Sequence, residues 1–267
     1  MFEAFYEFKA TPFTRGIPTD QLFITKELEE VLSRMKYVSK QQLFAVLTGD
    51  CGTGKTTILR KLRDTLNPQC YRMLYVSESK LTPTNFYKIV LEQLGIHAGR
   101  SSAIAKQQLH EQLAVLKAVH DVSVVCVVDE SHLLSFAMLE EIRFLLNTEF
   151  DSVSPLALIL AGQPELWKRR LALEKCRAIR QRIDIQSELD HYNRAYTGQY
   201  VQCQLTYAGA TSELFTEKAI DRIYEYSSGI ARMIDKICTS VLIYGSQNRM
   251  RLIDDHAVAK VLEGEFS

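Results

Sequence analysis

The chain has 267 residues, of which 46% are hydrophobic and 24% are charged. This ordinary globular composition excludes a wholly disordered or collagen-like chain, and the length allows one large domain or two unequal ones. Because 32 basic residues balance 32 acidic residues, no overall positive charge attracts nucleic acid, and any DNA contact has to be local. The sequence has no apolar run of about 18 residues and therefore predicts no transmembrane helix. The acidic, aromatic N-terminus does not have the pattern of a signal peptide.

The cysteines give no sign of a covalent or metal framework. They are Cys51, Cys70, Cys126, Cys176, Cys203 and Cys238. None forms a C-x-x-C pair, and several lie within apolar runs. We therefore expect reduced thiols of a cytoplasmic protein, rather than disulfides or zinc ligands.

Apolar patterning predicts that strands and helices alternate as far as residue 189. After an aromatic, turn-rich segment over residues 1–25, the pattern predicts helices at 26–38, 56–66, 84–94, 106–119 and 137–149. Short apolar runs predict strands at 41–49, 73–79, 122–130, 155–162 and 182–186. Strands separated by helices indicate a parallel sheet. The run at 122–130 is apolar enough for a central strand covered on both faces.

The pattern changes near residue 189 from alternation to helices alone. Helical stretches are predicted at 190–207, 216–227, 230–245 and 254–263, with Asp254 as the N-cap of the last. We therefore expect three parts. These are an N-terminal segment with the first helix (1–40) that packs on the core, an α/β domain (41–189) and a small helical domain (190–267).

The turn between the first predicted strand and the next helix is rich in glycine. Its residues are Gly49, Asp50, Cys51, Gly52, Thr53, Gly54, Lys55 and Thr56. They match G-x-x-x-x-G-K-[ST] in the required strand-to-helix context, which an accidental glycine-rich turn would not satisfy. Glycines let backbone N–H groups turn toward phosphate oxygens, and a helix start adds a positive dipole end. We expect this loop, through Thr57, to bind ATP, with Lys55 at the β- and γ-phosphates and Thr56 as a Mg²⁺ ligand.

Two acidic residues end the most apolar predicted strand. Asp129 and Glu130 lie where a nucleotide site at the carboxyl edge of a parallel sheet needs carboxylates. Asp129 is expected to hold Mg²⁺, and Glu130 to polarise the attacking water. The alternative is a pair of acids that begins a helix. The nearby His132 is assigned no chemistry, because a lone histidine is more often a capping or surface residue.

Further polar residues are candidates for completing this site. Gln163 follows the strand at 155–162 and could contact the γ-phosphate, or it could be an ordinary loop residue. Arg177, Arg180 and Arg182 precede the last predicted strand. An arginine presented to a neighbouring subunit would stabilise transition-state charge, although at least one of the three is expected to be simply solvated. Arg232 could reach the nucleotide of its own subunit or could lie on a helix surface.

Together these segments resemble the AAA+ ATPases, and most closely their ExeA/GspA-like branch. The resemblance covers nearly the whole chain and rests on FTRGIPTDQLF, LTGDCGTGKTTILRKL, VVDESHLL, LILAGQPELW, AIRQRIDI and SSGIARMIDKIC, in family order. It implies a P-loop fold with a helical lid. It also implies that Gln163 takes the sensor-1 position and Arg232 the sensor-2 position, with Arg182 or Arg180 as the arginine finger. Two departures are Ala231, where the family usually has proline, and DESH in place of a DEAQ- or DEAH-like box.

This branch contains two functional groups. ExeA-type secretion ATPases carry a membrane span and a peptidoglycan-binding domain after the ATPase, whereas this sequence ends at Ser267 after the predicted lid. Transposition accessory ATPases similar to TnsC, IstB and MuB act beside a DDE transposase, and PFTRGIP and IDDHAVAKVLEGE favour that group. The resemblance then implies ATP-dependent rings or filaments on double-stranded DNA that recruit a transposase. A secretion-assembly role and a nucleotide switch with little turnover are the alternatives.

A neutral chain can bind duplex DNA if basic residues line one face and an oligomer repeats that face. The first candidate face lies in the loop after the second predicted strand and at the end of the next helix, and comprises Lys80, Thr84, Lys88, Arg100 and Ser101. The resemblance places this region at a central channel. The second candidate is the run 168–170, for which a solvated basic surface is the stronger interpretation. No base-reading motif is present, so the contacts are expected to be to phosphates.

Overall fold

A computed structural model of the chain describes residues 2–78, 80–146 and 154–265. The chain folds into two compact units. The first contains the chain up to Lys26, Gly52–Gly54 and the chain from Asp190 onward. The second contains Glu27–Cys51 and Lys55–Leu189.

Within the described residues, the second unit is built on a five-stranded parallel sheet. Its strands are β1 (Phe44–Gly49), β2 (Tyr71–Val76), β3 (Ser123–Val128), β4 (Ala157–Gly162) and β5 (Ile185–Leu189), in the order β2-β3-β4-β1-β5. Helices α2 (Lys26–Gln41), α3 (Lys55–Thr65), α4 (Pro83–Gln93), α5 (Ser102–His120), α6 (Phe136–Leu145) and the short α7 (Arg177–Arg180) connect and cover the strands. The predicted α/β fold with a parallel sheet is therefore confirmed.

Burial along the strands shows why the apolar runs form this sheet. Every residue of β1 and β4 is buried, and β3 is buried from Val124 onward. These strands occupy the three central places, as continuous apolar runs require. β2 lies at an edge, and its outward residues are exposed. Because the strands are parallel, the carboxyl ends of β1, β3 and β4 meet at one edge.

The predicted last strand at 182–186 is wrong in position, since β5 spans Ile185–Leu189. The N–H groups of Arg182 and Ile183 donate to the carbonyls of Ile179 and Arg180, which continues the turn of α7. Asp184 then accepts from the Phe44 N–H through its carboxylate and donates its own N–H to the Phe44 carbonyl. The ladder with β1 therefore begins only afterwards.

Several other predicted elements differ at their ends, and two of these predictions include residues outside the described ranges. The strand expected at 73–79 begins earlier, at Tyr71, and ends at Val76; Ser79 lies outside the described residues. The helix expected at 137–149 is observed as α6, and residues 147–149 of that prediction also lie outside the described residues.

The first unit contains the predicted C-terminal helices. They are α8 (Arg194–Ala208), α9 (Glu217–Ser227), α10 (Ala231–Gln247) and α11 (Asp255–Glu265). Their apolar faces form one buried cluster that includes Leu205, Ile223 and Val241. The Ala257 N–H donates to the Asp254 carboxylate at 2.9 Å, so Asp254 is the N-cap that the sequence predicted.

The part of the N-terminal segment up to Lys26 belongs to this helical unit, contrary to the expectation that all of residues 1–40 pack on the α/β core, whereas the rest of α2 lies in the second unit. Phe2, in the short α1 (Phe2–Phe5), is buried in the helical cluster together with Tyr6 and Phe13. The Tyr6 hydroxyl donates to the Met250 carbonyl at 3.0 Å, and the Phe13 N–H donates to the Gln204 side chain at 3.1 Å. The boundary falls at Lys26, because the aromatic residues before it find their apolar partners among the C-terminal helices.

Candidate functional site

The glycine-rich loop after β1 has a backbone that glycine favours. Gly52 and Gly54 have φ of +92° and +101°, in the region that side chains disfavour. Lys55, which begins α3, is only 8% exposed. Its Nζ donates to the carbonyls of Gly49 at 2.6 Å and Asp50 at 2.9 Å. The ammonium group therefore lies against the loop that the sequence predicts to surround phosphates.

The charge on Lys55 is balanced by acidic neighbours. Burial lowers the pKa of the Lys55 ammonium group, and the nearby Glu130 and Asp129 carboxylates act in the opposite direction. A buried cation beside two carboxylates is a local charge arrangement that a polyphosphate with a divalent cation can complement.

Asp129, directly after β3, is the centre of a hydrogen-bond cluster and is 4% exposed. Its Oδ2 accepts from the Thr56 hydroxyl at 3.1 Å and from the Tyr75 hydroxyl at 2.6 Å. Its Oδ1 accepts from the Glu130 N–H at 2.8 Å. The structure thus brings together Thr56 and Asp129, the two predicted Mg²⁺ ligands. A hydroxyl oxygen beside a carboxylate is a donor set that fits this hard cation.

Tyr75 is a site residue that sequence reasoning missed. It lies near the end of β2, which pairs with β3, and its partner in the ladder is Val127. Burial raises the pKa of the Tyr75 hydroxyl, and the hydrogen bond to Asp129 raises it further. The Tyr75 hydroxyl therefore keeps its proton and donates it in a hydrogen bond to the Asp129 carboxylate. The signal in the sequence was a polar side chain near the end of a predicted strand. This signal points to the site only if β2 is known to lie next to β3 in the sheet.

Glu130 and His132 lie together beyond β3. Glu130 has φ of +51°, and its side chain is 52% exposed. Its Oε2 lies 3.5 Å from Nδ1 of His132, whose side chain is only 13% exposed. The Gln163 N–H, directly after β4, donates to the same Nδ1 at 3.4 Å. The structure thus places a histidine, to which no chemistry had been assigned, between the predicted water-activating residue and the backbone of the predicted sensor residue.

The three arginines before β5 have different surroundings. The guanidinium of Arg180 lies 4.5 Å from the centre of the Trp167 ring. Arg177 is exposed and 3.4 Å from Glu174, an ion pair that adds little at a solvated surface. Arg182 is partly buried. Of these three arginines, Arg180 is the one whose guanidinium the described contacts place over an aromatic ring, in a cation–π contact with Trp167.

In the first unit, Arg232 lies beside Gly52. The Arg232 N–H donates to the Gly52 carbonyl at 3.2 Å. A Cβ at position 52 would lie 2.8 Å from the Arg232 Cβ, so this approach requires glycine. One turn further along α10, burial raises the pKa of Asp235 to about 7, while the Tyr200 hydroxyl and the Arg232 charge act to lower it.

Apart from Lys88, at the middle of α4, the predicted DNA-contacting residues lie on two segments of the chain, one before and one after the middle of α4. Lys80 is exposed before α4, and Thr84 lies in its first turn. Arg100 and Ser101 follow the C-terminal end of this helix in the chain, directly before α5. The Ser101 hydroxyl accepts from the Ile104 N–H at 3.2 Å and is the N-cap of α5.

The second basic candidate, the run 168–170, makes two contacts within the fold. Lys168 forms an ion pair with Glu188 at 3.0 Å, and Arg170 donates to the Leu134 carbonyl. Lys168 and the next residue of the run are exposed, and Arg170 is half-buried.

The fold and this site define a P-loop protein with the AAA+ ATPase fold. Residues 38–169 match the family model described as the AAA domain. The chain is 29% identical over 246 residues to General secretion pathway protein A of Aeromonas hydrophila. That match covers 91% of this chain but only 44% of the relative, so this chain spans less than half of the relative's length.

Solved structures show the same fold at low sequence identity. A chain from the structure of Drosophila ORC bound to DNA has a TM-score of 0.71 at 17% identity, covering 100% of this chain and 66% of that one. Cdc6p from Pyrobaculum aerophilum has a TM-score of 0.70 at 18% identity, covering 94% and 70%. The Thermotoga maritima RuvB branch migration motor has a TM-score of 0.60 at 18% identity, covering 91% and 70%.

Among the residues that the structure describes, no helix combines the length and the apolar character needed to cross a bilayer.

Proposed function

We propose that this protein is a Mg²⁺-dependent ATPase whose nucleotide site is formed by the loop Gly49–Thr57 and the residues that follow β3. The observation that carries the proposal is the convergence of three donors on the Asp129 carboxylate, with Lys55 buried nearby. Such a constellation at the carboxyl edge of a parallel sheet suits a triphosphate and its cation.

Each residue then has a role in the reaction. Loop N–H groups and Lys55 bind the β- and γ-phosphates, and Thr56 and Asp129 hold Mg²⁺, which neutralises charge on the phosphate oxygens when bound. Glu130 orients the attacking water and accepts its proton. Gln163, at the end of β4, contacts the γ-phosphate or positions that water.

Residues 190–267 serve as a lid in this proposal, with Arg232 as a contact to the nucleotide of the same subunit. The protein assembles with copies of itself into a ring or filament, in which Arg182 or Arg180 of one copy stabilises the γ-phosphate charge at its neighbour's site. Hydrolysis then depends on assembly, which links turnover to protein concentration or to a partner that drives oligomerisation.

The test is steady-state phosphate release by the purified protein with ATP and Mg²⁺, measured over a range of protein concentrations. We expect specific activity to rise with concentration and to disappear without Mg²⁺. The absence of turnover under every condition, despite nucleotide binding, would favour the third candidate, a nucleotide-dependent switch.

For the biological role, we propose an ATPase that assists secretion-system assembly. The similarity to General secretion pathway protein A, over 91% of this chain, supports this role. The role predicts a membrane-spanning or envelope partner. Co-purification of the tagged protein with secretion-system components would support it.

The second candidate is a cytoplasmic ATPase that oligomerises on double-stranded DNA and recruits a DDE transposase. The basic residues near α4 and the DNA-associated neighbour structure of Drosophila ORC favour it. Salt-sensitive, ATP-dependent multimers on duplex DNA would support this role. Failure to bind DNA in the ATP state at low salt would exclude it and leave the secretion role.

A further inference from the structure

We propose that His132 is a positioning residue that orients the Glu130 carboxylate toward the water that attacks the γ-phosphate. The inference rests on the proposed ATPase function and names a further residue of that site. Its basis is the place of the imidazole between the end of β3 and the end of β4. Nδ1 lies 3.5 Å from Glu130 Oε2 and accepts the Gln163 N–H at 3.4 Å.

His132 is held more firmly than the carboxylate beside it. Its side chain is 13% exposed, against 52% for Glu130. A Cβ at Gly162 would lie 3.0 Å from the His132 backbone nitrogen, so β4 and the turn after β3 approach closely at this point. The preceding Ser131 hydroxyl donates to the Val128 carbonyl at 2.6 Å and fixes the same turn. A rigid imidazole beside an exposed carboxylate limits the directions in which that carboxylate can point.

The two contacts of Nδ1 exclude each other. Nδ1 accepts the Gln163 N–H only when it carries no proton, and it donates to Glu130 only when it carries one. A displacement of the Gln163 backbone toward a γ-phosphate would release Nδ1. The neutral imidazole can then take its other tautomer, with the ring proton on Nδ1 instead of Nε2. Nδ1 in that form donates to Glu130 and fixes the direction of its second oxygen toward water. His132 thereby couples the sensor position to the catalytic carboxylate without touching the substrate.

The experiment compares three substitutions at this position. His132→Ala removes the ring, and His132→Phe keeps the ring shape but removes both nitrogens. His132→Asn places an amide nitrogen near the position of Nδ1. We expect kcat to fall about tenfold for the alanine and phenylalanine variants, the effect of losing one hydrogen bond to a charged group. The asparagine variant should retain most of the activity, and the Kd for ATP should be the same in all three.

The control is the same set of substitutions in the Glu130→Gln background. There the His132 substitutions should have no further effect on kcat, because their target has been removed. Wild-type kcat in the alanine and phenylalanine variants would overturn the inference. So would an equal loss in the asparagine variant, or a matched weakening of ATP binding. A wild-type protein that releases no phosphate would instead overturn the proposed ATPase function itself. Thermal unfolding of each variant separates these outcomes from misfolding.

Discussion

Two regions of the second unit, the edge at the ends of β1 and β3 and the basic surface around α4, were both predicted from sequence as binding sites. At the edge, Thr56, Tyr75 and the Glu130 N–H all donate to one buried carboxylate. Around α4, two of the candidate residues come before or at the start of the helix in the chain and two come after it, and the Ser101 hydroxyl is the N-cap of α5.

This contrast shows which kind of site can be located from sequence alone. A phosphate loop is contiguous, and the sheet brings its partners to the same edge, so short-range spacing fixes the geometry. A phosphate-binding surface for DNA needs only net positive charge over an area, which many solvated surfaces also have. The predictions that follow run from the buried edge to this exposed surface, in order of decreasing effect.

Lys55→Ala should have the largest effect, because it removes the ammonium group at the centre of the phosphate loop. We expect ATP binding to be lost, as measured with a fluorescent nucleotide in the presence of Mg²⁺. Lys40→Ala, an exposed lysine of α2, is the matched control and should bind ATP normally. Equal binding by the two variants would place the nucleotide elsewhere.

Arg182→Ala should reduce turnover about 10³-fold, the effect of losing an arginine that stabilises the γ-phosphate charge. Nucleotide affinity should stay nearly unchanged, because a neighbouring subunit supplies this group. Arg180→Ala is the matched comparison; its guanidinium stacks on Trp167, so we expect the smaller loss there. A loss of ATP affinity in Arg182→Ala would instead place that arginine in its own subunit's site.

Glu130→Gln should bind ATP, reduce phosphate release about 10²- to 10³-fold, and prolong the lifetime of assemblies. The amide keeps the side chain's shape but cannot accept the proton of the attacking water. Glu111→Gln, an exposed residue of α5, serves as the control. Normal turnover by Glu130→Gln would show that another group is the base.

Tyr75→Phe should weaken Mg²⁺-dependent ATP binding about three- to tenfold, because it deletes one hydrogen bond to the Asp129 carboxylate. The measurement is a Mg²⁺ titration at fixed ATP. Tyr71→Phe, at the other end of β2, is the control. The same shift in both variants would mean that Tyr75 acts only through the stability of the strand.

The smallest effect is expected at the surface around α4. If it contacts DNA, each of Lys80→Ala and Arg100→Ala should reduce the slope of log affinity against log salt by about one. Lys117→Ala, on α5 and paired with Asp121 at 2.9 Å, should leave the slope unchanged. If the slopes of all three variants equal the wild-type slope, the surface around α4 is not a DNA interface.

The parallel sheet could be predicted from the sequence, because apolar runs and the helical spacing of apolar residues directly reflect which residues are buried. The sequence was insufficient for Tyr75 and His132, since their roles arise from the pairing of β3 with β2 and with β4. It misplaced the last strand because Arg182 and Ile183 are hydrogen-bonded in a turn that apolar patterning does not show. It also assigned the N-terminal aromatic residues to the wrong unit, since an apolar side chain does not encode which apolar surface it will join.

The most direct test of the nucleotide site is hydrogen–deuterium exchange with and without ATP and Mg²⁺. We predict slower exchange in the peptides that cover 49–57 and 129–132, while those that cover 80–101 stay unchanged in the absence of DNA. Protection elsewhere with unchanged exchange in the loop after β1 would contradict the account.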